Sequence, residues 1–204
     1  MSPVGPVIHI VDDDKSYRTA IARMVEASGF RIAVYGSGDE ILAHPPDPGP
    51  GCILLDLQMR GLNGLELQDL LAEKAPLLPI VFLSGHGDIH SSVQAMKAGA
   101  EDFLEKPVSG TALLETIGQA LLRYEARRKA YDRAHSLQAL VEGLTAREYQ
   151  VFDLMVRGKR NKQIAYCLGT SERTVKAHRH SIMEKLGVGS LAEAVSIAEG
   201  LGLL

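Results

Sequence analysis

Short, nearly continuous apolar runs alternate with segments of helical period through the first 120 residues. VIHIV (7–11), RIAVY (31–35), CILLD (52–56), PIVFLS (79–84) and EDFLE (101–105) read as strands. Tyr17, Ile21, Met24 and Val25 share a helical spacing that stops at Gly29. A short helix fits 38–43 and is broken by the loop HPPDPGPG (44–51). LELQDLLAEKA (65–75) is helical after the turn GLNG (61–64), and HGDIHSSVQAMKAG (86–99) is a loop entering a helix. A fifth helix begins near Ser109 and carries Leu113, Leu114, Ile117, Leu121 and Tyr124. Strands that are apolar at successive positions need cover on both faces. Their alternation with helices predicts an α/β doubly wound, five-stranded parallel sheet.

Beyond Ser109 the helical pattern runs long. It continues into, or is closely followed by, a linker helix that Gly143 ends. The remaining residues are helical throughout. Thr145 and Glu148 form a capping box for a helix with Val151, Phe152, Met155 and Val156 inward, closed by Gly158. Asn161 can cap a short helix bearing Ile164, Ala165 and Leu168, and Gly169 supplies a tight turn. Ser171 can cap a third helix with Val175, Ile182 and Leu186 inward. Ser190 and Glu193 form a second box for a last helix with Leu191, Ala194, Val195 and Ile197 inward. Two short helices joined by a glycine turn are a helix-turn-helix pattern, so the second domain is all-α. The expected division is 1–122, a helical linker over 123–142, and 143–204.

Charge separates the halves. The first 120 residues hold 16 acidic and 8 basic side chains, and the remainder 9 and 14. An acidic half suits cations and a basic half suits nucleic acid. Part of the basic excess is the run from Arg123 to Arg133, which can also be a solvated helix face. No apolar run approaches the roughly 18 to 20 residues of a membrane span. The acidic start MSPVGPVIHIVDDDK is not a signal peptide, so a cytoplasmic location and no membrane partner are expected. Cys52 and Cys167 fit no metal-ligand spacing and read as buried small hydrophobes.

Candidate chemistry gathers at strand ends. Asp12 and Asp13 follow the first strand, Asp56 ends the third, Ser84 ends the fourth, and Lys106 lies past the fifth. In a doubly wound sheet these ends meet on one edge. Three carboxylates there need a neutralising cation, and oxygen-only ligands suit Mg2+. A carboxylate can attack a phosphoryl group to form an acyl phosphate, with the cation and a lysine offsetting charge on its oxygens. Asp14 reads as a cap of the first helix. His86 and His90 read as loop residues, and His9 as an ordinary strand residue.

VDDD (11–14), LLDLQM (54–59), SGHGD (84–88) and AMKAGAEDFLEKP (95–107), with their spacing, resemble the receiver domain of response regulators over about residues 5–120. The resemblance implies a flavodoxin-like fold with Asp56 as phosphoacceptor. It implies Mg2+ or Mn2+ held by Asp12, Asp13, Asp56 and the backbone carbonyl of Gln58. Ser84 and Lys106 would contact the phosphate, and Phe103 would be the aromatic switch. One position departs: Arg60 stands where the family usually has proline. Arginine keeps an N–H and adds a cation beside the acidic residues, so an altered phosphorylation or dephosphorylation rate is expected.

In SERTVKAHRHSIMEKL (171–186) the stripe opposite the apolar face includes Lys176, Ala177, Arg179 and His180. Basic and short side chains near a helix start suit a major groove. Residues 144–188 look like the DNA-binding domain of the LuxR/NarL family, and the whole chain is similar to FixJ-type transcriptional regulators. By position, Lys176, Ala177 and His180 would face bases. Thr174, Arg179, Arg160 and Lys162 would meet phosphates.

The resemblance implies a transcriptional response regulator. Its partners would be a sensor histidine kinase, double-stranded promoter DNA, RNA polymerase and, when phosphorylated, a second copy of itself. No enzymatic role is expected beyond slow self-dephosphorylation. Three rivals remain, one of them a pure signalling adaptor, which would leave the Lys176 stripe unexplained. A receiver serving only as a dimer scaffold would bind DNA without phosphorylation. An aspartyl-nucleophile phosphatase would want a second aspartate two residues after the nucleophile, where Gln58 stands.

Overall fold

The computed structural model describes residues 5–85 and 89–204. His86, with Gly87 and Asp88 of the SGHGD motif, lies outside them. Strands β1 (Val7–Val11), β2 (Arg31–Tyr35), β3 (Gly51–Asp56), β4 (Ile80–Ser84) and β5 (Asp102–Glu105) alternate with α1 (Lys15–Ala27), α2 (Gly38–Ala43), α3 (Gly64–Lys74), α4 (Ile89–Lys97) and α5 (Gly110–Glu142). All neighbours pair in parallel, in the order β2-β1-β3-β4-β5.

The two-residue period of each strand divides the apolar side chains between two cores. Ile53, Leu55, Ile80 and Phe82 pack on one face with Ile41 of α2, Leu67 and Leu71 of α3, and Ala95 of α4. Cys52, Leu54, Val81 and Leu83 pack on the other with Ile21 and Val25 of α1 and Leu113 and Ile117 of α5. Every residue of β3 and β4 is therefore buried. This is the doubly covered sheet that the strand composition predicts.

The helix α5 is continuous for 33 residues. Its sequence is rich in Ala, Leu and Arg, all strong helix formers, and has no proline to break it. Contacts divide the chain into compact units of residues 1–128 and 129–204. The first extends past residue 122, the expected end of the receiver, because the following arginines bind it. Arg123 and Arg127 reach Glu101 at 3.0 and 3.5 Å, and Arg128 donates to the Pro48 carbonyl.

The second unit holds α6 (Ala146–Val156), α7 (Asn161–Leu168), α8 (Glu172–Leu186) and α9 (Leu191–Gly200). Val151, Phe152, Met155, Ile164, Val175, Ile182 and Ala194 form its core. Gly169 caps α7 with φ at 61°, a left-handed geometry that favours glycine in the turn between α7 and α8.

Four local expectations are corrected. Asn161 is the first residue of α7, and its cap position is Arg160, whose N–H the Gln163 side chain accepts at 2.9 Å. Ser190 caps α9 as expected, accepting from Glu193 N–H at 3.3 Å, but the Glu193 carboxylate accepts from Gly189 N–H at 3.1 Å and from the Ser190 hydroxyl, so the reciprocal half of the box falls one residue early. Leu191 is exposed, because α9 buries Ala194, Ile197 and Ala198 instead. Cys167 is also exposed, on the outer side of α7, whereas Cys52 is buried and its thiol is pushed up to about 12 by burial.

Candidate functional site

Strand register brings the acidic residues to one edge. Val11 pairs with Leu55, Asp56 with Leu83, and Ser84 with Glu105. Asp12, Asp56 and Ser84 thus lie at nearly the same height, with Lys106 one residue beyond. The loop after Asp56 turns into α3 through a close contact. A Cβ on Gly64 would meet the Asp56 carbonyl at 2.5 Å and the Leu57 Cα at 2.9 Å. Only glycine lets the start of α3 approach so near.

One carboxylate oxygen from each of Asp12, Asp13 and Asp56 lies within 4.8 Å of the others. Asp12 and Asp56 are 1% and 6% exposed. Lys106 Nζ sits 2.7 Å from Asp12 Oδ2 and 3.1 Å from Asp56 Oδ1. Lys106 pairs with two of the three carboxylates and the exposed Arg60 guanidinium lies 3.7 Å from the third, so the buried cluster keeps negative charge that a bound cation would offset. Burial is the main reason the Asp56 carboxyl is held above its ordinary range; Lys106 opposes it and Asp12 adds to it. Burial pulls the Lys106 ammonium down, but the bond to Asp12 and the charge of Asp56 outweigh this, and it is held above the ordinary lysine value.

The other carboxylate contacts are mostly to backbone N–H groups. Asp14 caps α1 as expected, accepting from Ser16 and Tyr17 N–H at 2.8 and 3.2 Å. Its own N–H donates to Asp12 at 2.8 Å, and Gln58 N–H donates to Asp56 at 3.4 Å. Arg60 N–H donates to Asp13 Oδ2 at 3.1 Å. Ser84 is fully buried at the end of β4, and its carbonyl accepts from Lys106 N–H at 2.7 Å. Phe103 is half-buried on β5, beside Val93 and Met96 of α4, which are 45% and 46% exposed.

Two neighbours escape the sequence reading. The Tyr17 ring lies 4.4 Å from Lys106 Nζ, a cation–π contact that steadies the ammonium. The Arg18 guanidinium donates to the Asp12 carbonyl. Their position one turn into the helix after the acidic triplet was the available signal. The helical pattern places Tyr17 only on the apolar spacing of α1.

In the second unit, Ser171 caps α8 by accepting from Thr174 N–H at 3.1 Å, and its hydroxyl lies 2.8 Å from that of Thr174. Lys176, Ala177 and His180 are exposed on α8. Arg179 is half-buried and donates to Asn161 Oδ1 at 3.1 Å, which ties α8 to the start of α7 where Arg160 and Lys162 are exposed. The inner side of α8 is fixed by a buried carboxylate. Glu148 accepts from Lys185 and Ser181 at 2.6 Å each and from Thr145 N–H at 2.8 Å. These bonds, the Lys185 one first, hold the Glu148 carboxyl far below its usual range. This network was legible only as a capping box.

Among the described residues no helix is long and apolar enough to cross a membrane. Residues 8–118 match the response regulator receiver domain family, and residues 142–198 match the luxR family of bacterial regulatory proteins. The chain is 40% identical over 201 residues to the response regulator protein TmoT of Ectopseudomonas mendocina, covering 98% of this chain and 91% of that one. It is 38% identical to the transcriptional regulatory protein FixJ of Rhizobium meliloti strain 1021, covering 94% of each. Its fold is similar to the solved response regulator StyR, with a TM-score of 0.77, 43% identity and coverage of 96% and 99%. It is also similar to full-length FixJ from B. japonicum, with a TM-score of 0.59, 34% identity and 98% of each chain covered.

Proposed function

The chain belongs to the two-component response regulators that join a receiver to a LuxR-family DNA-binding domain, and from that membership we propose that Asp56 is its phosphoacceptor. A regulator of this family binds DNA and controls transcription, and its receiver answers to a histidine kinase. The observation that carries the assignment is the Asp56 carboxylate, held 3.1 Å from Lys106 Nζ and grouped with Asp12 and Asp13.

Receivers bind Mg2+ through such acidic clusters, and the all-oxygen donor set with its excess negative charge fits that cation or Mn2+. Asp12, Asp13, Asp56 and the Gln58 carbonyl are the proposed ligands. When bound, the cation supplies positive charge against the phosphoryl oxygens. The chain's own residues do the rest. An Asp56 oxygen forms the new O–P bond as the N–P bond of the kinase phosphohistidine breaks. The imidazole leaves with that electron pair and takes a proton from solvent. Lys106 moves its charge from Asp12 toward the new phosphate, and the Ser84 hydroxyl donates to a phosphate oxygen. Slow attack by water on the acyl phosphate returns Asp56.

Phosphorylation replaces about −1 with about −2 at Asp56. Lys106 and Ser84 regroup around it and Phe103 repacks. The exposed Val93 and Met96 beside Phe103 then join the surface of α4, β5 and α5 that meets a second copy. Dimerisation pairs two α8 helices on two DNA half-sites. Lys176, Ala177 and His180 face bases there, and Thr174, Arg179, Arg160 and Lys162 meet phosphates. Residues 123–142 link receiver to DNA-binding domain, and RNA polymerase is the partner at the promoter. Coupling of this kind is about 1 to 3 kcal/mol, so the unphosphorylated chain still binds DNA weakly. The location is cytoplasmic.

Intact-mass measurement with Mg2+ and a small phosphodonor tests the assignment. Wild type should gain one phosphoryl group and Asp56→Asn none. Equal uptake by both would refute Asp56 as the acceptor.

A further inference from the structure

Arg60 is the residue by which this receiver departs from its family, and the structure gives it a specific contact. Its backbone N–H donates to Asp13 Oδ2 at 3.1 Å, and its Nε lies 3.7 Å from the same oxygen. Proline could supply neither. The other two carboxylates of the cluster already have partners. Asp12 holds Lys106 and the Asp14 N–H, and Asp56 holds Lys106 and the Gln58 N–H. Asp13 is the ligand that the lysine does not engage at these distances, and Arg60 engages it instead.

We propose that Arg60 competes with the divalent cation for the Asp13 carboxylate and so weakens Mg2+ loading of the receiver. The proposal rests on the acidic cluster being the Mg2+ site. The two parts of Arg60 act differently. The N–H is fixed by the loop and its bond to a carboxylate is charge-assisted, so it holds Asp13 in one orientation. The guanidinium repels an incoming cation, but the side chain is 98% exposed, so salt screens it. The next residue, Gly61, has φ at 79°, which is the setting in which a turn accepts proline at the preceding position. Arg60→Pro is thus compatible with the loop and removes both parts, whereas Arg60→Ala removes only the cation.

Mg2+ titration of the full chain, followed by amide NMR, tests this without any phosphodonor. Arg60→Pro should bind Mg2+ about three- to tenfold more tightly than wild type, the net worth of one solvent-exposed hydrogen bond. Arg60→Ala should bind about twofold more tightly at low salt, and equally at high salt. In wild type the Arg60 amide proton should move upfield in step with saturation as its bond to Asp13 breaks. Saturable binding with equal affinity in all three proteins overturns the competition and leaves the Mg2+ site standing. An Arg60 amide that stays put at saturation does the same, and it decides the matter even if Arg60→Pro fails to fold. No saturable shift in any of the three overturns the site and the competition together.

Discussion

Two buried carboxylate groups show opposite electrostatic designs. In the second unit Glu148 is surrounded by donors, from Lys185, Ser181 and Thr145, and its carboxyl is held far below the usual range. In the receiver, Lys106 pairs two of three clustered carboxylates, Asp12 and Asp56, and the Asp56 carboxyl is pushed up, mainly by burial. The first arrangement is complete as it stands and fixes α8 against α6. The second lacks positive charge and is poised to gain a cation and change charge. Residue type alone does not separate a structural carboxylate from a reactive one; the balance of donors around it does.

Breaking the comparison begins with the receiver's lysine. Lys106→Ala leaves Asp12 and Asp56 facing each other unpaired and should destabilise the receiver by about 3 to 5 kcal/mol in metal-free urea unfolding, with Mg2+ restoring part of the loss. A second effect is set by pH. Burial, opposed by Asp47, lowers the His9 value from 6.5 to about 4, and Tyr35 holds its Nδ1 at 3.1 Å. The unfolded chain therefore takes up a proton that the folded chain refuses. Stability is complete above pH 6.5 and falls as the pH drops toward 4, by on the order of 3 kcal/mol in full. Hydrogen-exchange protection of β1 and β3 amides should follow this course in wild type and lose the slope in His9→Phe. A course unchanged in His9→Phe would assign the slope to another group.

Smaller effects sharpen the contrast. Neutral isosteres should act with opposite signs in the two units. Asp56 has a raised folded value, so its contribution is lost as pH rises, and Asp56→Asn should raise receiver stability at neutral pH without metal. Glu148 has a lowered value, so its contribution is present at neutral pH and lost under acid. Glu148→Gln should lower the melting temperature of the second unit and flatten its acid limb. Equal signs in thermal melts would remove the distinction. Lastly, Lys176→Ala should cost about 1 to 3 kcal/mol in specific DNA binding while leaving Mg2+ affinity unchanged.

Local signals carried much of this from the sequence. The apolar runs of β3 and β4 specified burial on both faces, and Thr145 with Glu148 specified a cap that forms as read. The strand ends located Asp12, Asp56, Ser84 and Lys106 because parallel order brings carboxyl ends to one edge. What escaped depends on contacts distant in sequence. Lys185 and Ser181 lie 37 and 33 residues from Glu148, and no period links them. Asn161 looks like a helix cap in isolation, yet its side chain bonds Arg179 of α8 and the helix starts one residue earlier. Tyr17 fits an apolar stripe equally well whether or not a lysine lies on its ring. The retained N–H of Arg60 was legible, but its partner Asp13, 47 residues away, was not.

The central claim is that charge added at Asp56 drives assembly. Light scattering with Mg2+, with and without a small phosphodonor, measures this directly on wild type and Asp56→Asn. Wild type should pass from monomer to dimer only with the donor, and Asp56→Asn should stay a monomer. A wild type that is dimeric without donor would contradict the account and favour a receiver that serves as a scaffold, and one that takes up phosphate yet remains monomeric would contradict both.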